Sequence, residues 1–188
     1  SLSSSVLKGV DAVINLAGEG IADGRWTPKR KRALIQSRVL SARRLIDAIS
    51  YMNSKPKVFL SASAIGFYGD QGDQLLNEES AKGSGFLSEV CQNWENEILK
   101  AKDFGIRTVA LRIGMVLGHD GGALEKMLPP FQLGVGGKLG SGTQWMSWIH
   151  IHDLVEMMAF SIENPSADGI YNAVSPNPVR NREFTKIL

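Results

Sequence analysis

Apolar residues along this chain fall into two arrangements: short unbroken runs, and longer stretches where they recur every three or four positions. The first run, DAVINLAG from Asp11 to Gly18, is rich in β-branched residues and closes on small ones, which predicts a buried strand. Thr27 and Pro28 then offer an N-cap and a first-turn proline. Ile35, Val39, Ala42, Ile46 and Ile49 follow at spacings of four and three, the apolar stripe of a long helix. PKVFLSAS, Pro56 to Ser63, is a second buried run. Leu87, Cys91, Trp94 and Ile98 mark a second amphipathic helix, which Gly105 ends. IRTVALRIGMVLG, Ile106 to Gly118, predicts one long third strand, with a shorter helix after Gly122. A further helix is expected from an N-cap at Asp153 to Asn164-Pro165, then a strand over GIYNAV and a last helix capped by Asn181.

Strands therefore begin near Asp11, Lys57, Arg107 and Gly169, with a helix in every gap. Buried strands separated by helices imply right-handed crossovers and a parallel sheet covered on both faces. The expected fold is α/β, a Rossmann-like doubly wound sheet flanked by helices. Ligands of such sheets bind outside the carboxyl ends of the strands. Here those ends are NLAGEG, SASAIGFYG and LRIGMVLG, all small, glycine-bearing and partly polar. Three such ends in order predict a shared ligand cleft.

Composition narrows the function without choosing it. A chain of 188 residues, 43% hydrophobic and 21% charged, is an ordinary globular domain, and a net charge of +2 argues for neither a nucleic-acid nor a membrane partner. The single cysteine, Cys91, excludes an internal disulfide and a cysteine-based metal cluster. With no secretory or membrane-spanning signal in the sequence, it points to a reducing, cytoplasmic setting. His150, His152 and Asp153 suggest a metal clip, but no CxxC or HExxH supplies further ligands and Asp153 is already explained as a cap, so no metal is expected.

The segments DAVINLAGEGIADGRW, SRVLSARRLIDAI, FLSASAIGFYGD, LRIGMVLG, SWIHIHDLV and GIYNAVSPNPV, in this order and over nearly the whole chain, resemble the extended short-chain dehydrogenase/reductase superfamily. More narrowly, they resemble its atypical NAD(P)-dependent epimerase/dehydratase, sugar-nucleotide epimerase-like members. The resemblance implies NADP or NAD as cofactor and a nucleotide-sugar-like or other polar carbonyl- or hydroxyl-bearing substrate. It also implies homodimer pairing through the helices of residues 28–50 and 86–104. Members open with a strand, a GxxGxxG loop and a helix that hold the pyrophosphate, and nothing before Asp11 matches this element. The expectation is that residues 1–188 form a single partial domain, an internal portion of a longer protein, with substrate-region insertions at about 121–150 and 174–188.

By the same resemblance, Asn15, Leu16, Ala17, Gly18 and Glu19 line the adenosine and ribose side of the cofactor, although Asn15 is equally suited to tying neighbouring strands together. Arg25 is a candidate phosphate contact. Lys29 to Arg32 stand in the first turn of a helix, where the dipole disfavours cations; they either invite an anion, such as the extra phosphate of NADP, or form a solvated basic face. Arg112, Gly114 and Met115 fall beside the nicotinamide, and Ser61 is a further candidate cofactor contact. Gln144, Trp145 and Trp148 are candidate substrate-lining residues, or aromatics that pack their own glycine-rich loop.

Hydride chemistry in the superfamily uses a tyrosine as general acid/base, a lysine four residues later, a serine that orients the substrate and an asparagine that holds a relay water. Aligned on Glu95, the segment FLSEVCQNWE places Leu87 at the tyrosine and Cys91 at the lysine, while Arg38 stands at the asparagine. Leu87 transfers no proton, and Cys91 supplies no fixed positive charge. The serine survives as Ser61 or Ser63. The candidate catalytic groups are thus Ser61, Ser63, Tyr68 and Arg38, with Tyr68 alternatively a turn aromatic beside Phe67 and Arg38 a stabiliser of an anionic substrate or oxyanion. Two functions stand open: an epimerase or oxidoreductase with a non-standard site, or a dinucleotide-binding sensor or interaction protein without hydride chemistry.

Overall fold

In the computed structural model, residues 4–119 and 121–188 are described. A 3-10 turn, Ser4–Leu7, leads into strand β1 (Ala12–Asn15), which is followed by helix α1 (Pro28–Ser50). Thr27 caps α1 as its sequence suggests: its hydroxyl accepts the Arg30 N–H at 3.2 Å. Strand β2 (Val58–Ala64) precedes helix α2 (Phe86–Leu99), which tightens into a 3-10 turn, Lys100–Phe104. Gly105 ends that turn in the left-handed region, at φ 72°. Next come β3 (Arg107–Ile113), β4 (Met115–Gly118), α3 (Gly122–Gln132), β5 (Trp145–Met146) and β6 (Trp148–His150). Helix α4 (Ile151–Glu163), β7 (Gly169–Ala173), β8 (Val179–Arg180) and α5 (Asn181–Ile187) complete the chain.

The main sheet runs β1-β2-β3-β7, every pair parallel. Its central strands are buried on both faces because both faces carry helices. Phe59 and Ala110 point into a core with Val39, Ala42 and Ile46 of α1 and Trp94 and Ile98 of α2. Leu60, Val109 and Leu111, one pleat on, point the other way to Leu154 of α4 and Ile149. The α/β doubly wound architecture expected from the run-and-helix pattern is the one observed.

Three local expectations are corrected. The predicted third strand is two strands: it breaks at Gly114, whose N–H still donates to Ala173 O at 3.1 Å, whereas Met115 N already donates to Ser147 O at 2.8 Å. From there the chain leaves the main sheet, and β4 pairs with β6. Glycine is required at the break, because a Cβ there would lie 2.6 Å from Ser147 O. Helix α4 starts earlier than expected: its cap is His150, whose Nδ1 accepts the His152 N–H at 3.2 Å, and Asp153 falls within the first turn. Helix α5 is capped at Arg180, and the buried Asn181 instead accepts the Leu139 N–H at 2.8 Å, pinning the glycine-rich loop. Strands β5, β6 and β8 are two or three residues long, too short for any alternation to announce them.

Helices α1 and α2 are tied at one side by Glu97, which takes Arg43 Nη2 at 2.6 Å and Lys100 Nζ at 3.0 Å. The hydrogen bond from Arg43 is the main reason its carboxyl titrates below the usual glutamate range. A carboxyl depressed in the folded state contributes stability above its unfolded pKa, about 4.3 for glutamate, and loses it as pH falls through the folded value. The difference in denaturation midpoint between the native protein and Glu97→Gln should therefore be full near pH 6 and shrink progressively below about pH 4. Urea titrations across that range check it.

Candidate functional site

The carboxyl ends of β1, β2 and β3 open into one cleft of about 540 Å³. Gly18 stands on one side, Ser63 and Gly66 on the floor of the β2 end, Gly114 and Met115 at the β3 end. Helix α2 supplies Leu87, Cys91 and Trp94, α1 supplies Arg38, and Trp145, Met146 and Ser147 close the far side. A second hollow of about 670 Å³ lies along α1, lined by Asn15, Glu19, Ser37, Ser41 and Arg44 among others. The two share Leu16 and Ala17.

The predicted residues take distinct places around these hollows. Asn15 is buried and does what the tie reading expects: Nδ2 donates to Ser61 Oγ at 3.1 Å, and Oδ1 receives the Ser41 hydroxyl and the Ala17 N–H, each at 3.3 Å. Ser61 is fully enclosed between strands and does not line the cleft. Arg25 is exposed and lines neither hollow. The basic start of α1 is partly occupied: Arg30 pairs with the Glu19 carboxylate and donates to Gly20 O at 2.6 Å, and Lys31 Nζ lies 5.0 Å from the Phe86 ring centroid. Gln144 and Trp148 lie outside the cleft lining, their side chains donating to Leu139 O and Asn177 O at 3.1 Å each. Trp145 lines the cleft, with its indole N–H on Asp73 Oδ1 at 2.9 Å and the Arg180 guanidinium 4.0 Å from its ring centroid.

Arg38 reaches the cleft from α1, anchored by Leu34 O at 3.2 Å and Glu19 O at 2.9 Å, and its guanidinium lies 5.5 Å from the Trp94 ring centroid. Gly18 permits this approach: a Cβ there would sit 3.1 Å from Arg38 Cζ. Burial lowers the Arg38 pKa, partly offset by Cys91 and Glu19, but a guanidinium stays protonated. Cys91, expected from the resemblance to stand where the family has its lysine, is pushed up to about 11, chiefly by burial and then by the nearby Glu95 charge. It is a neutral thiol at physiological pH.

Behind the cleft lies a buried polar chain that crosses the sheet. Ser63 Oγ donates to Glu95 Oε1 at 2.6 Å. Arg112 grips both carboxylate oxygens, Nε to Oε1 and Nη2 to Oε2, each at 2.9 Å. Its Nη1 donates to Tyr68 Oη at 2.9 Å, and the tyrosine donates in turn to Asn172 Oδ1 at 2.7 Å. The Phe67 ring centroid lies 3.5 Å from the guanidinium. Burial pulls the Arg112 pKa down, but the hydrogen bonds to Glu95 and Tyr68 outweigh it and the net shift is upward. Tyr68 and the Arg112 side chain therefore sit behind the cleft wall, and neither lines the cleft. The residue that sequence reasoning undervalued is Glu95, used only as an alignment anchor. Its signal was present: Leu87, Cys91 and Glu95 share one helix face, and a carboxylate on a buried face requires a cationic partner.

Among the described residues, no group of three or more His, Cys, Asp or Glu is arranged to hold a metal, and no helix is long and apolar enough to cross a membrane.

These features define a Rossmann-like α/β protein with a cleft at the carboxyl ends of its parallel strands. The NAD-dependent epimerase/dehydratase family model matches residues 2–174, and the chain belongs to that family. A chloroplastic epimerase family protein, the SDR39U1 homolog of Arabidopsis thaliana, is 44% identical over 185 residues, which cover 97% of this chain and 52% of the relative. YfhF of Bacillus subtilis is 39% identical over 180 residues, 95% of this chain and 59% of that protein. This chain thus spans about half to three fifths of the length of these relatives. Among solved structures, human epimerase family protein SDR39U1 with NADPH superposes with a TM-score of 0.89 at 33% identity, covering 97% of this chain and 64% of that one. A nucleoside-diphosphate sugar epimerase from Corynebacterium glutamicum gives 0.87 at 39% identity, covering 100% and 39%.

Two outcomes follow from this geometry. Arg112→Met should leave the buried Glu95 without its cationic partner, lowering stability by about 3–5 kcal/mol, while adding Glu95→Leu restores most of the loss; urea midpoints of the single and double variants measure both. Cys91 should react with iodoacetamide at pH 8 on the order of a hundredfold more slowly than a free thiol, with the rate still rising at pH 10, as followed by mass spectrometry of the folded protein.

Proposed function

We propose that the cleft is the nicotinamide and substrate end of an NADP(H) site, serving an epimerase or oxidoreductase that acts on a hydroxyl- or carbonyl-bearing small molecule. The observation that carries this reading is the single cleft at the ends of three adjacent parallel strands, with Gly18, Ser63 and Gly114 on its wall. The residues present fit such a ligand. The walls are mostly apolar, as flat aromatic rings require, with a few polar groups for orientation, among them Ser63 and Arg38. The second hollow continues the site through Leu16 and Ala17 and offers Asn15 to Glu19 for the adenosine side. The relative solved with NADPH supports the phosphorylated form of the cofactor.

The bound nicotinamide would supply hydride transfer; the chain's own residues supply binding and orientation. Arg38 presents a permanent cation at the wall, suited to a carboxylate, a phosphate or an oxyanion. Its Nε–H has no protein acceptor among the described residues. Ser63 presents a hydroxyl oxygen. The positions of the family's tyrosine and lysine hold Leu87 and a neutral Cys91, so neither can carry a proton between substrate and solvent. That same observation favours a second reading: a protein that binds the dinucleotide as a sensor and performs no hydride transfer. Homodimer pairing through α1 and α2 would have to use polar surface, since the exposed positions of α2 are Glu89, Asn93 and Asn96.

Calorimetry of the intact protein with NADPH and NADP separates these readings from a non-binding fold. Binding is expected, weakened about tenfold or more by Arg38→Ala, as for the loss of a charged hydrogen bond. A carbonyl panel followed by nicotinamide absorbance then distinguishes the enzyme from the sensor. Absence of binding defeats both; binding with no turnover on any compound leaves the sensor.

A further inference from the structure

Ser63, the penultimate residue of β2, is buried and belongs to the lining of the cleft. A serine hydroxyl has one hydrogen to give and two lone pairs with which to receive. Here the hydrogen is committed to Glu95 Oε1 at 2.6 Å. The direction of that bond is fixed by chemistry, because a carboxylate held through both oxygens by Arg112 only accepts. Among the described residues, no protein group donates to Ser63 Oγ in return. Ser61, on the same strand and facing the same way, differs: its oxygen receives the Asn15 amide at 3.1 Å, and the residue is sealed from the cleft. One serine oxygen is therefore satisfied by a protein donor inside the sheet, while the other, in the cleft lining, receives none among the described residues.

We infer that Ser63 meets its ligand as a hydrogen-bond acceptor, held in that sense by Glu95, so that the cleft selects a hydroxyl or amide N–H at this point and disfavours a carbonyl or phosphate oxygen. This rests on the ligand-binding reading of the cleft given above and names the chemical group the strand end recognises. Glu95 does not line the cleft; it is a positioning residue that acts through Ser63. Turning the hydroxyl round to donate outward would strip Glu95 Oε1 of one bond inside a fully buried network, leaving Arg112 Nε alone on that oxygen. A carbonyl oxygen brought to the same place would face a lone pair. The preference therefore belongs to the protein and does not depend on which larger molecule carries the group.

Cyclohexanol and cyclohexanone test the preference, since they share one ring, differ in this one group, and suit the apolar wall of Ile65, Leu87, Val90 and Ile113. Their affinities for the intact protein saturated with NADPH are measured by ligand-observed NMR. The alcohol is expected to bind about five- to tenfold more tightly than the ketone, the effect of one hydrogen bond. Ser63→Ala should bring the two within about twofold of each other, whereas Ser63→Thr, which keeps a hydroxyl, retains the preference. Glu95→Gln should weaken the preference by offering Ser63 a neutral amide that both donates and accepts. If that variant does not fold, the two Ser63 variants decide the question. Equal affinities, a preference for the ketone, binding of neither compound, or an unchanged preference in Ser63→Ala overturns the inference. Failure of NADPH to bind is seen before either compound is added and bears on the cofactor alone; the comparison is then made on the cofactor-free protein.

Discussion

The ion pair between Glu95 and Arg112 is the constraint around which the cleft is organised. Both side chains are almost wholly enclosed, at 2% and 3% exposure, where an isolated charge would be prohibitive. They are tolerated because nearly every polar atom finds a partner: two contacts between the ions, Ser63 on the carboxylate, Tyr68 and Glu78 O on the guanidinium, and the Phe67 face against it. These contacts join α2 to β2 and β3, and Tyr68 extends the chain to Asn172 of β7. In a low-dielectric interior such a network is stable only when complete. It therefore holds α2 in one position against the sheet, and α2 is one wall of the cleft.

A division of labour follows. The ionisable groups that a catalytic site might use, Glu95, Arg112 and Tyr68, are spent on one another behind the wall. The cleft lining keeps Leu87, Cys91, Trp94 and Ser63, with Arg38 entering from α1. Under the proposed reading, such a wall would bind and orient. It moves protons poorly, because the thiol is neutral at physiological pH and the guanidinium keeps its proton. If hydride transfer occurs here, the proton that accompanies it must come from the substrate, from water or from a group beyond these strands. The positions matched by resemblance to the tyrosine and lysine hold Leu87 and the buried Cys91, which serve the packing of α2 instead.

Much of this was legible in the amino-acid pattern, and the exceptions have physical causes. The strand over 58–64 and the two long helices announce themselves through burial on both faces or through a three-four stripe, whereas the apolar runs over 12–15 and 169–173 do form strands but are only partly buried, with Ile14 of the edge strand exposed where a fully buried strand was expected. The cleft was legible from the three polar, glycine-bearing strand ends. The break at Gly114 was not, because LRIGMVLG keeps its apolar run straight through the point where the chain changes sheets; the cause, Ser147 O, lies more than thirty residues away. The partners of Tyr68 and Arg112 were equally hidden. Both residues stand at strand ends, where a ligand role is the natural expectation, and only the register that sets Ser63 beside Arg112 and Arg112 beside Asn172 shows them facing inward to one another.

The glycines of the strand ends pointed to the right place through a different physical role. Glycine beside a ligand site is usually taken to let the ligand approach the backbone. In this chain three of them stand against another part of the protein: a Cβ on Gly114 would collide with Ser147 O, one on Gly66 would come a tight 3.3 Å from Leu87 Cβ, and one on Gly18 would press the Arg38 guanidinium. The missing side chains let a loop, a helix and an arginine close in on the strand ends, and the cleft is the space those three approaches enclose. A strand end crowded on all sides cannot be filled by its own side chains, so its backbone and its small hydroxyl residue remain for the ligand. Glycine thus marks the cleft because it builds the walls.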